Sequence, residues 1–390
     1  VAPPLTEMAA GSAAARERLV GLLQRLMCAR VDEPLTALLA RCLEAFTKLV
    51  AQAAELAGQF VGACIQNVLA IPLAQPGHLP PPQQQGGAWR RQFEGRLAMC
   101  GAVVTLARDA PAAFVPLLEP LVAEVNSMWS RGLLQEGERV LLWEGILAAS
   151  HAAGPVAQSQ ILGYVLGPIA AEWSDAAWRA GVASTQALVA KYMPLEGSAS
   201  EPALGGRAAR WSLWHQTTLV ERAFRRTLIT PVFPDGGSGR ASADGSATPS
   251  ASGATSGGGT GQPGKPCAAH MSWSLPVLAQ LLFCVHGLWA PGLQENLGPL
   301  SVALEMDPAE RALRLGEDPE VVKDRDNPRC VGGGALADAR YFVRGLRETC
   351  TMALSLAAAH AGGALWADAE LAAALVPRLC AGIDHVDAAH

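Results

Sequence analysis

Two groups of arginines are the residues whose type and spacing best suit a chemical task, and that task is to hold a polyanion. In residues 210–229, RWSLWHQTTLVERAFRRTLI, Leu213, Val220, Phe224 and Leu228 fall on one side of a helix, while Arg222, Arg225 and Arg226 fall on the other. In residues 339–350, ARYFVRGLRETC, Arg340, Arg344 and Arg347 are spaced four and three apart. They line one stripe, away from Phe342, Val343, Leu346 and Cys350. A guanidinium is planar, always charged and presents its N–H groups as a fork that matches phosphate. A looser third group is Arg90, Arg91 and Arg96. On spacing alone a solvated helix face is the commoner explanation of each group, and Glu221 and Glu348 sit near enough to neutralise part of the charge.

Catalytic signatures fail on inspection. Gly259 to Lys265 has the glycine and lysine spacing of a phosphate-binding loop, but Pro266 stands where a hydroxyl residue would hold magnesium, and no strand precedes it. Asp384 and His385 beside Asp387 could form an acid and base pair, yet at a helix end they read more simply as a solvated cap. No nucleophile elbow or dinucleotide fingerprint is present. The nine cysteines are scattered through apolar text, no pair has zinc spacing, and His385 and His390 are five apart and so do not share a helix face. The expectation is a chain with no metal site, no cofactor and no enzymatic activity.

The 390 residues are 50% hydrophobic, 5% aromatic and 17% charged, with a net charge of −5. An acidic chain has no general basic footprint, so contact with nucleic acid must be local. Only Lys48, Lys191, Lys265 and Lys323 are lysines among 30 basic residues. That skew fits either a GC-rich genome or a preference for planar recognition of phosphate. No signal peptide or glycosylation sequon is evident, and the longest apolar run, residues 275–290, contains Gln280 and His286 and is too short to span a bilayer. These features lead to the expectation of a soluble intracellular protein with no membrane partner. The start at Val1, helical almost at once, suggests a piece of a longer polypeptide.

The elements that must position the arginines are helical throughout. In residues 138–173, ERVLLWEGILAASHAAGP is followed by VAQSQILGYVLGPIAAEW, two helical halves parted at Gly154 and Pro155. Ile161, Leu162, Val165, Leu166, Ile169, Ala170 and Trp173 recur at helical spacing and lay a broad apolar stripe along the second half. A two-helix hairpin cannot bury such a stripe alone, so hairpins in series point to a helical repeat array. Helices are expected near 15–30, 33–50, 53–70, 89–109, 112–131, 136–151, 156–174, 175–191, 207–229, 272–289, 294–305, 337–360 and 368–382. Three interruptions, near 72–88, 235–266 and 316–336, read as loops or disordered inserts in one continuous array over 1–390.

From about Trp89 onward the chain resembles the middle and later part of the exportin-5/HASTY family of karyopherin-type nuclear export receptors. The resemblance is colinear. It is carried by the 138–173 hairpin with its Gly167-Pro168 break and closing Trp173, by RAARWSLWHQTTLVERAFRRTLI, by LAQLLFCVHGLWAPGL with ALEMDPAERALRLG, and by RYFVRGLRETCTMALSLAAAH. It implies an all-α fold, a HEAT-repeat α-solenoid built as a superhelix of stacked antiparallel helix pairs. It further implies a non-enzymatic receptor that shuttles between nucleus and cytoplasm. Such a receptor binds double-stranded or hairpin RNA such as precursor microRNA together with GTP-bound Ran, and also meets nucleoporins and protein cargo. Ran contacts would lie mostly in repeats outside this chain. On this reading Arg222, Arg225, Arg226, Arg340, Arg344 and Arg347 are the expected RNA-binding residues. The alternative is a HEAT scaffold for protein partners, with the same arginines turned outward or locked in salt bridges between repeats.

Overall fold

The computed structural model describes residues 13–71, 87–193, 201–227, 266–294, 297–304, 335–361 and 369–381, and singly 73, 383 and 386. Every regular element among the described residues is helical. The principal helices are α1 (Ala13–Cys28), α2 (Thr36–Glu44), α3 (Ala57–Ala70), α4 (Gly87–Asp109), α5 (Leu118–Ser130) and α6 (Glu136–Ser150). They continue with α7 (Pro155–Ser174), α8 (Thr185–Tyr192), α9 (Glu201–Thr227), α10 (Met271–His286), α11 (Ala335–Ala361) and α12 (Ala369–Cys380). Apart from their edges, the three expected inserts lie outside the described residues, as do Leu228, the Gly259 to Lys265 stretch and the Asp384–His385 pair.

Local chemistry sets the boundaries. Gln135 and Glu138 form a capping box at the start of α6, the Gln135 N–H donating to Glu138 Oε2 at 3.0 Å. Gly154 turns the chain into α7 at φ 90°, a conformation other residues adopt only with strain, and Pro155 opens the helix where its missing N–H costs nothing. Despite the Gly167-Pro168 break in the sequence, the helix expected over 156–174 is continuous. α7 runs through Pro168, with Val165, Leu166 and Ile169 buried on either side of it. The single helix expected over 112–131 is divided instead, into Pro111–Phe114, a 3₁₀ turn Val115–Leu117 carrying Pro116, and α5.

Alternate helices pack into two layers. α2, α4, α6, α9 and α11 contact one another in that order, α1, α3, α5, α7 and α10 lie against them, and α12 packs beside α10. Within the first layer neighbouring helices run parallel. Gly95 abuts Thr36 while Asp109 accepts from Thr47 at 2.5 Å. Arg96 bonds Glu138, and Gly145 abuts Val103 and Val104. Gly137 abuts His215, and Glu144 binds Arg226. Trp211 meets Tyr341, and Trp214 meets Gly345. Residue numbers rise together along each pair, which is what stacked antiparallel hairpins produce. Among the described residues the main packing of each unit is with its neighbours in sequence, and the core is one continuous seam.

Residues Pro266–Trp289 form an apolar helical stretch of 24 residues, long enough to cross a bilayer, where the sequence reading expected a shorter run. Its composition has another cause. α10 packs on α11 and α12, and Leu275, Leu278, Leu281, Leu282 and Val285 are buried there.

Arg96, read from the sequence as part of a loose polyanion-binding group, is instead an internal clamp. It is 2% exposed. Nε and Nη2 fork onto Glu138 at 2.6 and 2.8 Å, Nη1 donates to the carbonyls of Val68 and Ile71 at 2.5 Å each, and Nη2 donates to Leu133 O at 2.7 Å. All its N–H donors are satisfied. The side chains of Arg90 and Arg91 lie outside the described residues. Removing one partner of a buried pair strands the other, at about 3–5 kcal/mol, whereas replacing both with apolar residues is far milder. Arg96→Met is therefore expected to lower the urea unfolding midpoint sharply, and Arg96→Met/Glu138→Leu to recover most of the loss. An unshifted midpoint in the single variant contradicts the clamp.

Candidate nucleic-acid interface

α9 is built from two opposed faces. Leu213, Val220 and Phe224 are buried against the core, as their spacing requires. On the far side, positions 211, 215, 218, 222, 225 and 226 recur at three- and four-residue intervals and make one stripe. The arginines of that stripe do not stand alone. Glu144, reaching across from α6, accepts from Arg226 Nε at 2.9 Å, and Glu221 accepts from Arg225 Nε at 2.6 Å. Arg222 Nε lies 3.4 Å from Glu144 and 3.3 Å from Glu221.

Burial gives this cluster a direction. The carboxylate side chains of Glu144 and Glu221 are 3% and 5% exposed, while those of Arg222, Arg225 and Arg226 are 33%, 38% and 19% exposed. Acid lies beneath base, so the outer surface is positive although the cluster as a whole carries a net charge of only about +1. Arg226 is committed to the joint between α6 and α9. Arg222 and Arg225 keep guanidinium edges outward, and Arg222 Nη1 and Nη2 make no hydrogen bond to the described residues. A phosphate could take those donors as charge-assisted hydrogen bonds without disturbing the Glu144–Arg226 joint.

α11 carries the second stripe. Phe342, Val343, Leu346 and Cys350 are buried, as expected from the spacing. Arg344 Nε donates to Glu348 at 2.9 Å in an exposed i,i+4 pair, a link worth only a few tenths of a kcal/mol. Arg340 and Arg347 are half-buried. The parallel register puts Arg340 to Arg347 beside Trp211 and Trp214, and the Arg222 cluster two turns, about 12 Å, further along α9. The two stripes therefore share a layer on adjacent helices, offset along the axis.

Between them lies a feature the sequence reading did not single out. Trp211 packs 5.3 Å from Trp214 and 5.6 Å from Tyr341, Trp214 packs 5.5 Å from Tyr341, and His215 sits 5.0 Å from Trp214. His215 Nδ1 is 3.0 Å from Glu136 on α6. The approach of α11 is so close that a Cβ at position 345 would fall 2.7 Å from Trp214 Nε1, which accounts for Gly345. The only sequence signal was the three-residue spacing of Trp211 and Trp214; the partner on a distant helix gave none.

Other reactive residue types serve packing. Cys64, Cys100, Cys267, Cys284 and Cys350 are buried, and burial pushes their thiols up, Cys267 to about 12 and Cys284 to about 11. Among the described residues no three His, Cys, Asp or Glu side chains converge as a metal site would need.

The geometry thus defines a class: an α-solenoid of stacked helix pairs with arginines along one layer. Comparison with known proteins carries this to a family. The Exportin-5 family model matches residues 6–390, and the chain belongs to that family. Protein HASTY 1 of Arabidopsis thaliana is 25% identical over 358 residues, covering 88% of this chain. The aligned part is 26% of the length of that relative, so this chain spans about a quarter of it.

Arg347 also acts inward, on His286 at the end of α10. Burial first, and then the Arg347 charge, hold the His286 imidazole below its ordinary pKa. Burial alone does the same to His270. The unfolded chain takes up these protons near pH 6.5, while the fold resists them until lower pH. Stability is therefore full above about pH 6.5 and is lost as pH falls from there toward the depressed folded values. Urea midpoints measured from about pH 7.5 to 5 should fall, and His286→Gln should make the decline shallower. An identical slope in that variant contradicts the assignment.

Proposed function

We propose that this chain is a section of a nuclear export receptor that helps carry double-stranded or hairpin RNA, such as precursor microRNA, from nucleus to cytoplasm together with GTP-bound Ran. Family membership carries the transport reading. The observation that carries the RNA reading is the layered charge of α9, with Arg222 and Arg225 outermost above buried Glu144 and Glu221. In this account Arg222, Arg225, Arg340, Arg344 and Arg347 meet phosphates, and Arg226 is held in position by Glu144. A-form duplexes expose phosphates and 2′-hydroxyls rather than readable base edges, so an arginine-lined wall can recognise shape without sequence. An acidic chain manages this because its positive charge is local and because Ran adds binding free energy. That coupling is reciprocal: RNA strengthens Ran binding by the same factor. Shuttling would bring the receptor into contact with nucleoporins and, in some assemblies, protein cargo.

The second reading is a protein-binding scaffold. It is favoured by the same carboxylates, since Glu144 and Glu221 already answer much of the arginine charge, and Arg226 is a joint between repeats.

Fluorescence anisotropy of a labelled RNA hairpin with the full-length receptor, with and without Ran loaded with GTP, separates the two. The expected result is Ran-dependent binding that weakens as salt rises. Arg222→Ala/Arg225→Ala should weaken it about ten-fold and flatten the log–log salt dependence by on the order of one per lost phosphate contact. Ran-dependent binding indifferent to the double variant removes the site and leaves the function. Absence of RNA binding at every salt concentration leaves the protein scaffold.

A further inference from the structure

On the other side of the array, α7, α10, α12 and the turn after α7 enclose a cleft of about 330 Å³. That is the lower end of ligand-pocket sizes, with room for one large side chain and its neighbours rather than for a cofactor. Its walls are aromatic and aliphatic. Trp173 stacks on Trp178 at 5.5 Å and meets the edge of Trp273 at 5.7 Å, and Pro276 and Val277 line the α10 wall.

Two guanidiniums flank this apolar space. Arg179 donates from Nε to Trp173 O at 3.1 Å, and Arg378 donates from Nε to Gln280 Oε1 at 2.8 Å and from Nη1 to Ala374 O at 2.5 Å. Those bonds fix both side chains at the cleft through neutral acceptors, and no carboxylate of the described residues pairs with either. The amide in the cleft is already committed to the protein: Gln280 Nε2 donates to Val182 O and Ala183 O at 3.1 and 3.2 Å, while its oxygen accepts from Arg378. Both side-chain amide hydrogens of Gln280 are thereby used, and neither is left to read the edge of a nucleobase. What remains is a mainly apolar slot whose rim carries positive charge that no carboxylate of the described residues pairs with, and it discriminates by hydrophobic size and by sign of charge.

We infer that this cleft docks a short acidic segment of a partner protein, inserting one large apolar side chain between Trp178, Trp273 and Val277 and setting flanking carboxylates against Arg179 and Arg378. The partner is a protein rather than RNA because charge complementarity is available to both, whereas the slot offers apolar contact and no base-reading amide. The inference is independent of the RNA reading, which rests on α9 and α11.

The test is anisotropy of short fluorescein-labelled peptides with a central Leu, Phe or Trp between glutamates, titrated with the full chain. At least one such peptide should bind about ten-fold or more tightly than its Ala-centred version and than the version with lysines for glutamates. Arg179→Glu/Arg378→Glu should invert the charge preference. Ala183→Trp, which adds bulk at an exposed rim position, should block binding with the melting temperature unchanged, so a folding defect cannot mimic the result. The inference is overturned if no anchored acidic peptide outperforms its controls. It is equally overturned if an RNA oligonucleotide displaces the peptide and itself loses binding in the Ala183→Trp variant.

Discussion

Burying an arginine is tolerable only when its charge and every donor are answered, and the stack is organised round a place where this is done. Arg96 on α4 faces Glu138 at the start of α6 and gathers the carbonyls that end α3 and precede α6. One guanidinium thereby holds α3, α4 and the start of α6 at a fixed height. Glu138 in turn caps its own helix. The same device recurs one step along the layer, where Glu144 on α6 holds Arg226 on α9. Apolar burial drives the helices together without direction; these ion pairs supply register, and register decides which residues reach the surface.

From that register the surface follows. Because α6, α9 and α11 run parallel at matched heights, the outward stripe of α9 lies between Glu136 and Glu144 on one side and Tyr341 and Gly345 on the other. The carboxylates are drawn under the arginines and the aromatic rings fill the seam. The positive face of α9 on an acidic chain is therefore a consequence of layering: its acids, Glu144 and Glu221, are present but sequestered. The cleft at Trp173 and Trp273 belongs to the opposite layer and obeys a different balance, with positive charge fixed at its rim that no carboxylate among the described residues pairs with.

Much of this was legible in residue spacing. The apolar stripes of α7, α9 and α11 foretold which faces are buried, and Gly154 with Pro155 marked a real turn. Pro168 does not interrupt the helix expected over 156–174, because one missing N–H inside a long helix is outweighed by the burial of Val165, Leu166 and Ile169 round it. Arg96 misled. Its neighbours Arg90 and Arg91 suggested a surface group, while its answering charge lies 42 residues away in sequence. Pairing across helices also escaped the sequence at Glu144 and Arg226, 82 residues apart, and at Trp211 and Tyr341. Periodicity reports which side of a helix is apolar; it carries no information about which distant helix lies alongside.

The central claim is that the layer built from α6, α9 and α11 is the face turned to RNA. The most direct measurement is photo-cross-linking of a hairpin RNA carrying 4-thiouridine to the full-length receptor with Ran and GTP, followed by mass spectrometric mapping of the modified peptides. The account predicts cross-links concentrated in residues 211–226 and 340–347, lost on raising the salt concentration. Cross-links confined to α7, α10 and α12, or none in this chain while the RNA is bound, would contradict it.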